Sequence, residues 1–270
     1  MSNNYPEMPK IWFGTWQIKD ENCIQSVQNA LELGYKHIDT AIAYWNEEEV
    51  WKWIKNSNIP REEIFLTTKI WMDSLKHQDV IDSVNWSLER LQTNYLDLIL
   101  IHRPSNNVPL KETLEAMKEL QNKQKVRYIW VSNFTTKLLK DCIDILGENS
   151  IYANQVEYHI FLDQSKLLNF CREHNIKLVA YSPLAHWNLI QNDKIKEIAE
   201  KYQKTTSQVA LKWLIQQENV YAIPRSQSYN HIKENFQIFD FELDETDFEK
   251  LNNLPKNKRV LNPPFAPEWD

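Results

Sequence analysis

Glycine is scarce in this chain, with 3 glycines among 270 residues beside 11 tryptophans. At the usual share of roughly 7%, about 19 glycines would be expected. The sequence contains no G-x-G-x-x-G, the fingerprint that opens a dinucleotide-binding doubly wound sheet. That fold is therefore only the second choice for an α/β chain of this length.

Cysteine is also scarce, and long apolar runs and excess positive charge are absent. The three cysteines, Cys23, Cys142 and Cys171, are far apart and form no C-x-x-C, which favours a reducing cytoplasm. No apolar run approaches the ~20 residues of a membrane span, and the polar N-terminus is not typical of a signal peptide. A formal net charge of -6 argues against nucleic acid or an anionic membrane as the main partner.

Short apolar runs alternate with amphipathic helical patterns along the whole chain. Such runs are typical of parallel strands buried on both faces, and they lie at 11–15, 36–40, 64–69, 96–101, 126–131, 151–156, 177–181 and 220–224. Helical periodicity is clear at 23–33, 76–91, 110–122 and 206–217. Eight such units predict a (β/α)8 TIM barrel, an α/β fold that forms one domain over residues 1–270.

Polar residues follow the predicted strands where each strand ends, which is the active-site face of such a barrel. Asp39 and Tyr44 follow the second strand, Lys69 closes the third and His102 closes the fourth. A lysine beside a tyrosine favours the phenolate, so we expect Lys69 to lower the pKa of Tyr44. Asp39 would keep Lys69 charged, and a neutral His102 would orient a carbonyl oxygen. Taken singly, Asp39 could cap a helix and His102 could be a core histidine.

The order and spacing of the motifs resemble the aldo-keto reductase family over nearly the whole chain. The motifs are GYKHIDTAIAYWNE, LTTKIW, LILIHRP, YIWVSNF, NQVEYH, AYSPLA and IPRSQSYNHIKENF. The resemblance implies an NADPH-dependent reductase, often monomeric, that converts small aldehydes, α-dicarbonyls or keto-sugars to alcohols. It makes Tyr44 the general acid, Lys69 and Asp39 its tuning pair, and His102 the group that orients the carbonyl.

The resemblance also implies a cofactor site and a substrate pocket, but no metal site. Cofactor-binding positions are Thr15, Trp16, Ser132, Asn133, Gln155, Tyr181, Ser182, Leu184, Arg225, Ser226, His231, Glu234 and Asn235. Substrate-pocket positions are Trp16, Trp45, Trp71 and Arg103. As isolated aromatics, Trp16, Trp71 and Tyr181 would more often be packing residues. The short segment 103–109 and the short tail after Val260 predict an open pocket with broad specificity.

Three positions depart from the family pattern in ways that bear on specificity. Arg225 stands where the family has lysine, and His231 where it has arginine. A guanidinium holds a 2′-phosphate well, whereas a largely neutral histidine holds it less well. We expect NADPH to be used with a weaker preference over NADH than is usual, so that NADH use is possible. Arg103 stands where the family commonly has tryptophan, which removes an aromatic from the rim and adds a cation. It could favour anionic or polyoxygenated carbonyls, or it could simply point into solvent.

Several tryptophans stand where relatives often carry glycine, at positions 12, 51, 130 and 187. An indole in place of a strand glycine should overpack the barrel and, at Trp130, could distort the strand that carries Ser132. One hypothesis is that UGA codons for glycine were translated as tryptophan. The other is a lineage that lost glycine through composition bias, which Gln124 at a frequent glycine position supports.

Two other functions are compatible with parts of the pattern. One is a cofactor-binding barrel that has lost turnover and serves as a regulatory protein or scaffold. Such a protein would be expected to lack one of the four residues Asp39, Tyr44, Lys69 and His102, and none is missing. An aldolase could use Lys69 as a Schiff-base lysine, although the predicted cofactor residues would then have no role.

Overall fold

The computed structural model describes residues 8–185, 191–264 and 266–270. Eight parallel strands form one sheet in sequential order. The strands are β1 Phe13–Gly14, β2 His37–Asp39, β3 Phe65–Ile70, β4 Leu96–Ile101, β5 Val126–Ser132, β6 Ala153–Glu157, β7 Lys177–Tyr181 and β8 Val220–Ala222. Each predicted run overlaps one of these strands. The runs at 64–69, 126–131 and 151–156 end one residue before their strands do, and the runs at 11–15 and 220–224 extend beyond their ladders.

Hydrogen bonds between the first and last strands close the sheet into a barrel. Ile11 pairs with Ala222 in a parallel bridge. The amide of Trp12 donates to the Ala222 carbonyl at 3.0 Å, and the amide of Gly14 donates to the Pro224 carbonyl at 3.1 Å. The predicted (β/α)8 barrel is confirmed, because every strand now has two parallel neighbours.

Helices connect the strands and pack their apolar faces on the outside of the barrel. They are α1 Asp20–Glu32, α2 Glu47–Asn56, α3 His77–Arg90, α4 Leu110–Asn122, α5 Thr136–Leu146, α6 Ser165–Glu173, α7 Asp193–Tyr202, α8 Thr206–Ile215, α9 Tyr229–Phe236 and α10 Glu245–Asn252. The four predicted helices match α1, α3, α4 and α8 to within three residues at either end. Among the described residues, no helix has both the length and the apolar character to cross a membrane.

The chain makes most of its left-handed turns without glycine. Gly34 and Gly147, with φ of 101° and 89°, end α1 and α5 as the sequence predicts. In the described part of the chain, thirteen other residues have positive φ, and nine of them are asparagine or glutamine, including Gln124. Asparagine tolerates this region through local hydrogen bonds. This pattern supports the composition-bias hypothesis for the low glycine content.

Tryptophan occupies the centre of the barrel. Trp12 and Trp130 are fully buried there, with ring centroids 5.2 Å apart. Trp12 also stacks on His37 at 3.7 Å and donates its indole N–H to the Pro9 carbonyl at 2.7 Å. The distortion expected at Trp130 is absent, because β5 runs unbroken through it and Trp130 pairs with Leu100. Small neighbours inside the barrel, such as Ala153, leave room for the ring.

The other two tryptophans of the decoding hypothesis lie away from the barrel interior or outside the described residues. Trp51 lies on α2 and packs, partly buried, against the outer core. Its indole N–H, like that of Trp130, is buried without a hydrogen-bond acceptor among the described residues. Trp187 falls outside the described residues. The decoding hypothesis therefore stays a prediction.

Candidate active site

A buried ion pair lies at the carboxyl ends of β2 and β3. The ammonium of Lys69 donates to Oδ1 of Asp39 at 2.5 Å, and the two side chains are 0% and 5% exposed. The same nitrogen donates to the Thr40 carbonyl at 2.8 Å and to the Tyr44 hydroxyl at 3.3 Å. Burial alone would lower the pKa of Lys69, but Asp39 and Tyr44 reverse this and raise it. Lys69 is therefore a charged donor aimed at the Tyr44 oxygen.

A short 3-10 helix, Ile42–Tyr44, brings the Tyr44 ring over the end of β3. The neighbouring Asn46 fixes this turn: its carbonyl accepts from the Thr40 hydroxyl at 2.6 Å, and its amide donates to the Thr15 and Ile18 carbonyls. Asn46 was not among the predicted site residues, although it lies inside the quoted motif. An asparagine directly after such a turn is a usable signal, because one amide can satisfy several loop carbonyls.

Lys69 acts on the pKa of Tyr44 in the predicted direction, but burial outweighs it. Burial raises the pKa of Tyr44 above its ordinary value of 10.0, and the opposing charge of Lys69 only moderates the rise. The reason is that Asp39 balances the charge of Lys69 and itself acts to raise the pKa. Tyr44 therefore keeps its proton at neutral pH, with a cation 3.3 Å from the oxygen that would become charged when the proton leaves.

His102 follows β4 and faces Tyr44. The two rings meet edge to face with centroids 5.7 Å apart, and Trp71 lies against the other side of the imidazole at 5.0 Å. Burial, with the charges of Lys69 and Arg103, lowers the pKa of His102 well below 6.5. His102 is therefore neutral near pH 7, as the sequence predicts. Its Nδ1 is buried without a hydrogen-bond partner among the described residues.

Three polar residues from β5 and β6 adjoin the tetrad of Asp39, Tyr44, Lys69 and His102. Gln155 donates from Nε2 to Oδ2 of Asp39 at 3.0 Å, across the barrel interior. The hydroxyl of Ser132 donates to the Gln155 carbonyl at 2.8 Å. Asn133, with φ of 62°, donates from Nδ2 to the His102 carbonyl at 2.9 Å. The structure thus brings these predicted cofactor residues to the edge of the tetrad.

Tyr181, at the end of β7, joins the same network. Its hydroxyl donates to Oδ1 of Asn133 at 2.7 Å. Burial raises the pKa of Tyr181 to about 12, against a hydrogen bond from Arg103 that lowers it. Ser182 has φ of 48°, and Leu184 packs partly buried against the outer core. Tyr181 therefore links Arg103 after β4 to Asn133 after β5.

The remaining predicted cofactor residues lie after β1 and β8. Thr15 is buried, and its hydroxyl donates to the Asp39 carbonyl at 3.1 Å. The guanidinium of Arg225 lies 6.0 Å from the ring of Trp16, which is 37% exposed. Ser226 follows Arg225 in the same loop, and α9 carries the exposed His231, the partly buried Glu234 and the buried Asn235.

The substrate-pocket predictions fall into two groups. Trp71 contacts His102 directly, and Arg103 contacts Tyr181. Trp16 and Trp45 lie on the rim, where Trp45 is 81% exposed and has φ of 57°. Within the described ranges, no group of three or more His, Cys, Asp or Glu residues is arranged to hold a metal ion.

Glu157 is a further buried residue at this face that the site prediction omitted. Its carboxylate accepts the amides of Val260 at 2.5 Å and Leu261 at 2.8 Å and lies 3.0 Å from Nε2 of His159. Burial opposes the charge of Glu157, but these hydrogen bonds keep its pKa below the ordinary value. Glu157 thereby fixes the C-terminal tail over the end of β6. A buried glutamate at a strand end was the available signal.

Comparison with known proteins agrees with this arrangement. The chain is 42% identical over 265 residues to glyoxal reductase from Bacillus subtilis, covering 96% of this chain and 93% of that protein. It is 37% identical over 266 residues to methylglyoxal reductase DkgB from Escherichia coli O157:H7, covering 97% and 99%. The crystal structure of MGS-M4, an aldo-keto reductase from a Medee basin deep-sea metagenome library, superposes with a TM-score of 0.90 at 39% identity, covering 96% of each chain. The model of the aldo/keto reductase family matches residues 10–256, so the chain belongs to the aldo/keto reductase family.

Proposed function

We propose that this protein reduces small aldehydes, α-dicarbonyls or keto-sugars to alcohols with NADPH, and more weakly with NADH. The observation that carries the proposal is the buried cluster in which Lys69 joins Asp39 at 2.5 Å and Tyr44 at 3.3 Å, with a neutral His102 facing the Tyr44 ring. Relatives named glyoxal reductase and methylglyoxal reductase support the substrate class.

Tyr44 is the general acid in this proposal. Its raised pKa keeps the phenol protonated at neutral pH, so a proton is available when negative charge develops on the carbonyl oxygen. Lys69 then stabilises the phenolate, and Asp39 holds the ammonium in place through the transfer. The neutral imidazole of His102 offers an N–H donor to the same carbonyl oxygen.

The residues at the barrel mouth suit a nicotinamide dinucleotide. Amide and hydroxyl groups of Ser132, Asn133 and Gln155 lie beside the tetrad and match the hydrogen-bonding edge of a carboxamide. Arg225 on the rim suits a phosphate, and Tyr181 offers a ring at the end of β7. When bound, the nicotinamide supplies the hydride. Other residues assigned to the cofactor are Thr15, Trp16, Ser182, Leu184, Ser226, His231, Glu234 and Asn235.

The two alternatives fit the geometry less well. Lys69 donates to Asp39, Thr40 and Tyr44, and its pKa is raised, whereas a Schiff-base lysine must be deprotonated to attack a carbonyl. Burying an ion pair carries a desolvation cost. In a barrel without turnover, nothing would offset the cost of a buried ion pair directed at a tyrosine hydroxyl.

We also propose that the enzyme works as a monomer in the cytoplasm. Cys23, Cys142 and Cys171 are free thiols, and all three are buried. Burial raises the pKa of each to about 12, which keeps them as unreactive thiols. Free, unreactive thiols suit a reducing compartment.

The test follows the near-ultraviolet absorbance of NADPH, and then NADH, after methylglyoxal is added. We expect turnover with both cofactors, and we expect Tyr44→Phe to lower kcat by at least ~100-fold while cofactor binding, followed by fluorescence, is retained. Cofactor binding without turnover in the natural chain would instead support a binding protein. Borohydride trapping of substrate on Lys69 would support the aldolase.

A further inference from the structure

Arg103 places a cation beside the reactive centre. It directly follows His102 at the mouth of the barrel and is half-buried. Its guanidinium donates to the Tyr181 hydroxyl, and its charge acts on both His102 and Tyr44. Because these residues lie at or after the carboxyl ends of β2, β4 and β7, Arg103 lies among the groups that surround the proposed carbonyl site.

A second guanidinium in this region comes from the C-terminal tail. Arg259 stacks on the ring of Trp269 at 3.9 Å, and its charge also acts on Tyr181. Its Nη1 is buried and makes no hydrogen bond with any described residue. A buried guanidinium nitrogen without an acceptor is unusual, since such groups are normally satisfied. Arg103 and Arg259 therefore form a cationic corner around Tyr181.

The carboxylates near this corner already accept hydrogen bonds from other groups. Asp39 accepts from Lys69 and Gln155. Glu157 accepts from the amides of Val260 and Leu261 and contacts His159. The charge of Glu157 also acts on Arg259 and Tyr181, so two guanidinium groups face one carboxylate. The cationic corner therefore keeps a net positive charge, although the chain as a whole has a formal net charge of -6.

We propose that Arg103, with Arg259 beside it, selects carbonyl substrates whose reactive aldehyde or ketone is carried on a short chain that ends in a carboxylate. A guanidinium pairs well with a carboxylate through two parallel hydrogen bonds, and a half-buried site strengthens the pairing. A neutral aldehyde gains no such bond. This inference rests on the proposed reductase function and adds the class of substrate.

The experiment compares two substrates that share one reactive aldehyde and differ in charge, succinic semialdehyde and its methyl ester, with methylglyoxal as a third. The measured quantity is the ratio of kcat/KM for the acid to kcat/KM for the ester. The variants are Arg103→Gln, which removes the charge, and Arg103→Lys, which keeps it. Arg172→Gln is the matched control, because Arg172 lies at the far end of the barrel near the Glu218 carbonyl, at 3.4 Å.

We expect the natural chain to favour the acid, and Arg103→Gln to lower the ratio about 30-fold. Arg103→Lys should recover part of the preference, added salt should reduce it, and Arg172→Gln should leave it unchanged. The inference is overturned if the natural chain shows no preference for the acid, or if Arg103→Gln lowers both values equally, since Arg103 would then act only by positioning Tyr181. Absence of turnover with all three substrates would overturn the proposed function itself.

Discussion

Removing the carboxylate of Asp39 should destabilise the whole barrel as well as its chemistry. In Asp39→Asn the Lys69 ammonium, 0% exposed, loses the charge 2.5 Å away that offsets its burial. Breaking a buried pair in this way costs about 3–5 kcal/mol. For a chain of this size, each kcal/mol lowers Tm by about 2–4 °C, so the expected loss is about 6–20 °C. The hydrogen bond from Gln155 is also weakened, because the asparagine side chain presents either an N–H donor or a neutral, poorer acceptor to Gln155 Nε2.

The assay is thermal unfolding at neutral pH of Asp39→Asn, Lys69→Met and the double variant. Because the cost arises from an unpaired charge, the double variant should be more stable than the sum of the single losses predicts, by about 2 kcal/mol. Losses that add to within about 0.5 kcal/mol would refute the reasoning. Turnover of methylglyoxal should be lost in all three variants, since each lacks a charged Lys69 held at Tyr44.

Three further predictions concern pH, backbone conformation and cofactor choice. Burial lowers the pKa of His37 well below 6.5 in the folded protein, so the unfolded chain binds more protons in acid. The free energy of unfolding should therefore fall as pH drops below about 6.5. His37→Phe should flatten this slope in acid unfolding curves. Trp45→Gly should stabilise the fold by about 1 kcal/mol in denaturant titrations, because Trp45 has φ of 57°. Trp86→Gly, in helix α3, is its matched control and should destabilise by about 1 kcal/mol. The ratio of kcat/KM with NADPH to kcat/KM with NADH should be below about 1000, and His231→Arg should raise this ratio. A ratio above about 1000 in the natural chain would contradict the weaker preference for NADPH.

The barrel and the tetrad could be predicted from the sequence because both depend on local patterns. Each strand is a short apolar run, and each tetrad residue lies at or just after the end of one, so topology alone brings them together. The neutral state of His102 follows from burial beside cations and was also predictable.

The pKa of Tyr44 could not be predicted, because it depends on the balance between burial and a Lys69 charge already offset by Asp39. The sequence offers a signal for Asn46 and Glu157 themselves, but not for their hydrogen-bond partners, since each joins segments that are separate in sequence. The sequence suggested crowding at Trp130, but the small residues opposite it become visible only when the barrel is assembled.

The hydrogen bond from Gln155 to Asp39 has a consequence for the order of folding. Asp39 and Lys69 lie on adjacent strands and can meet early, whereas Gln155 reaches Asp39 from the other side of the barrel. Bringing these segments together requires the closure of a long loop, which costs entropy and slows folding. The reactive centre is therefore complete only after the strands have curled into position. Enzymatic activity should return after the helical signal during refolding.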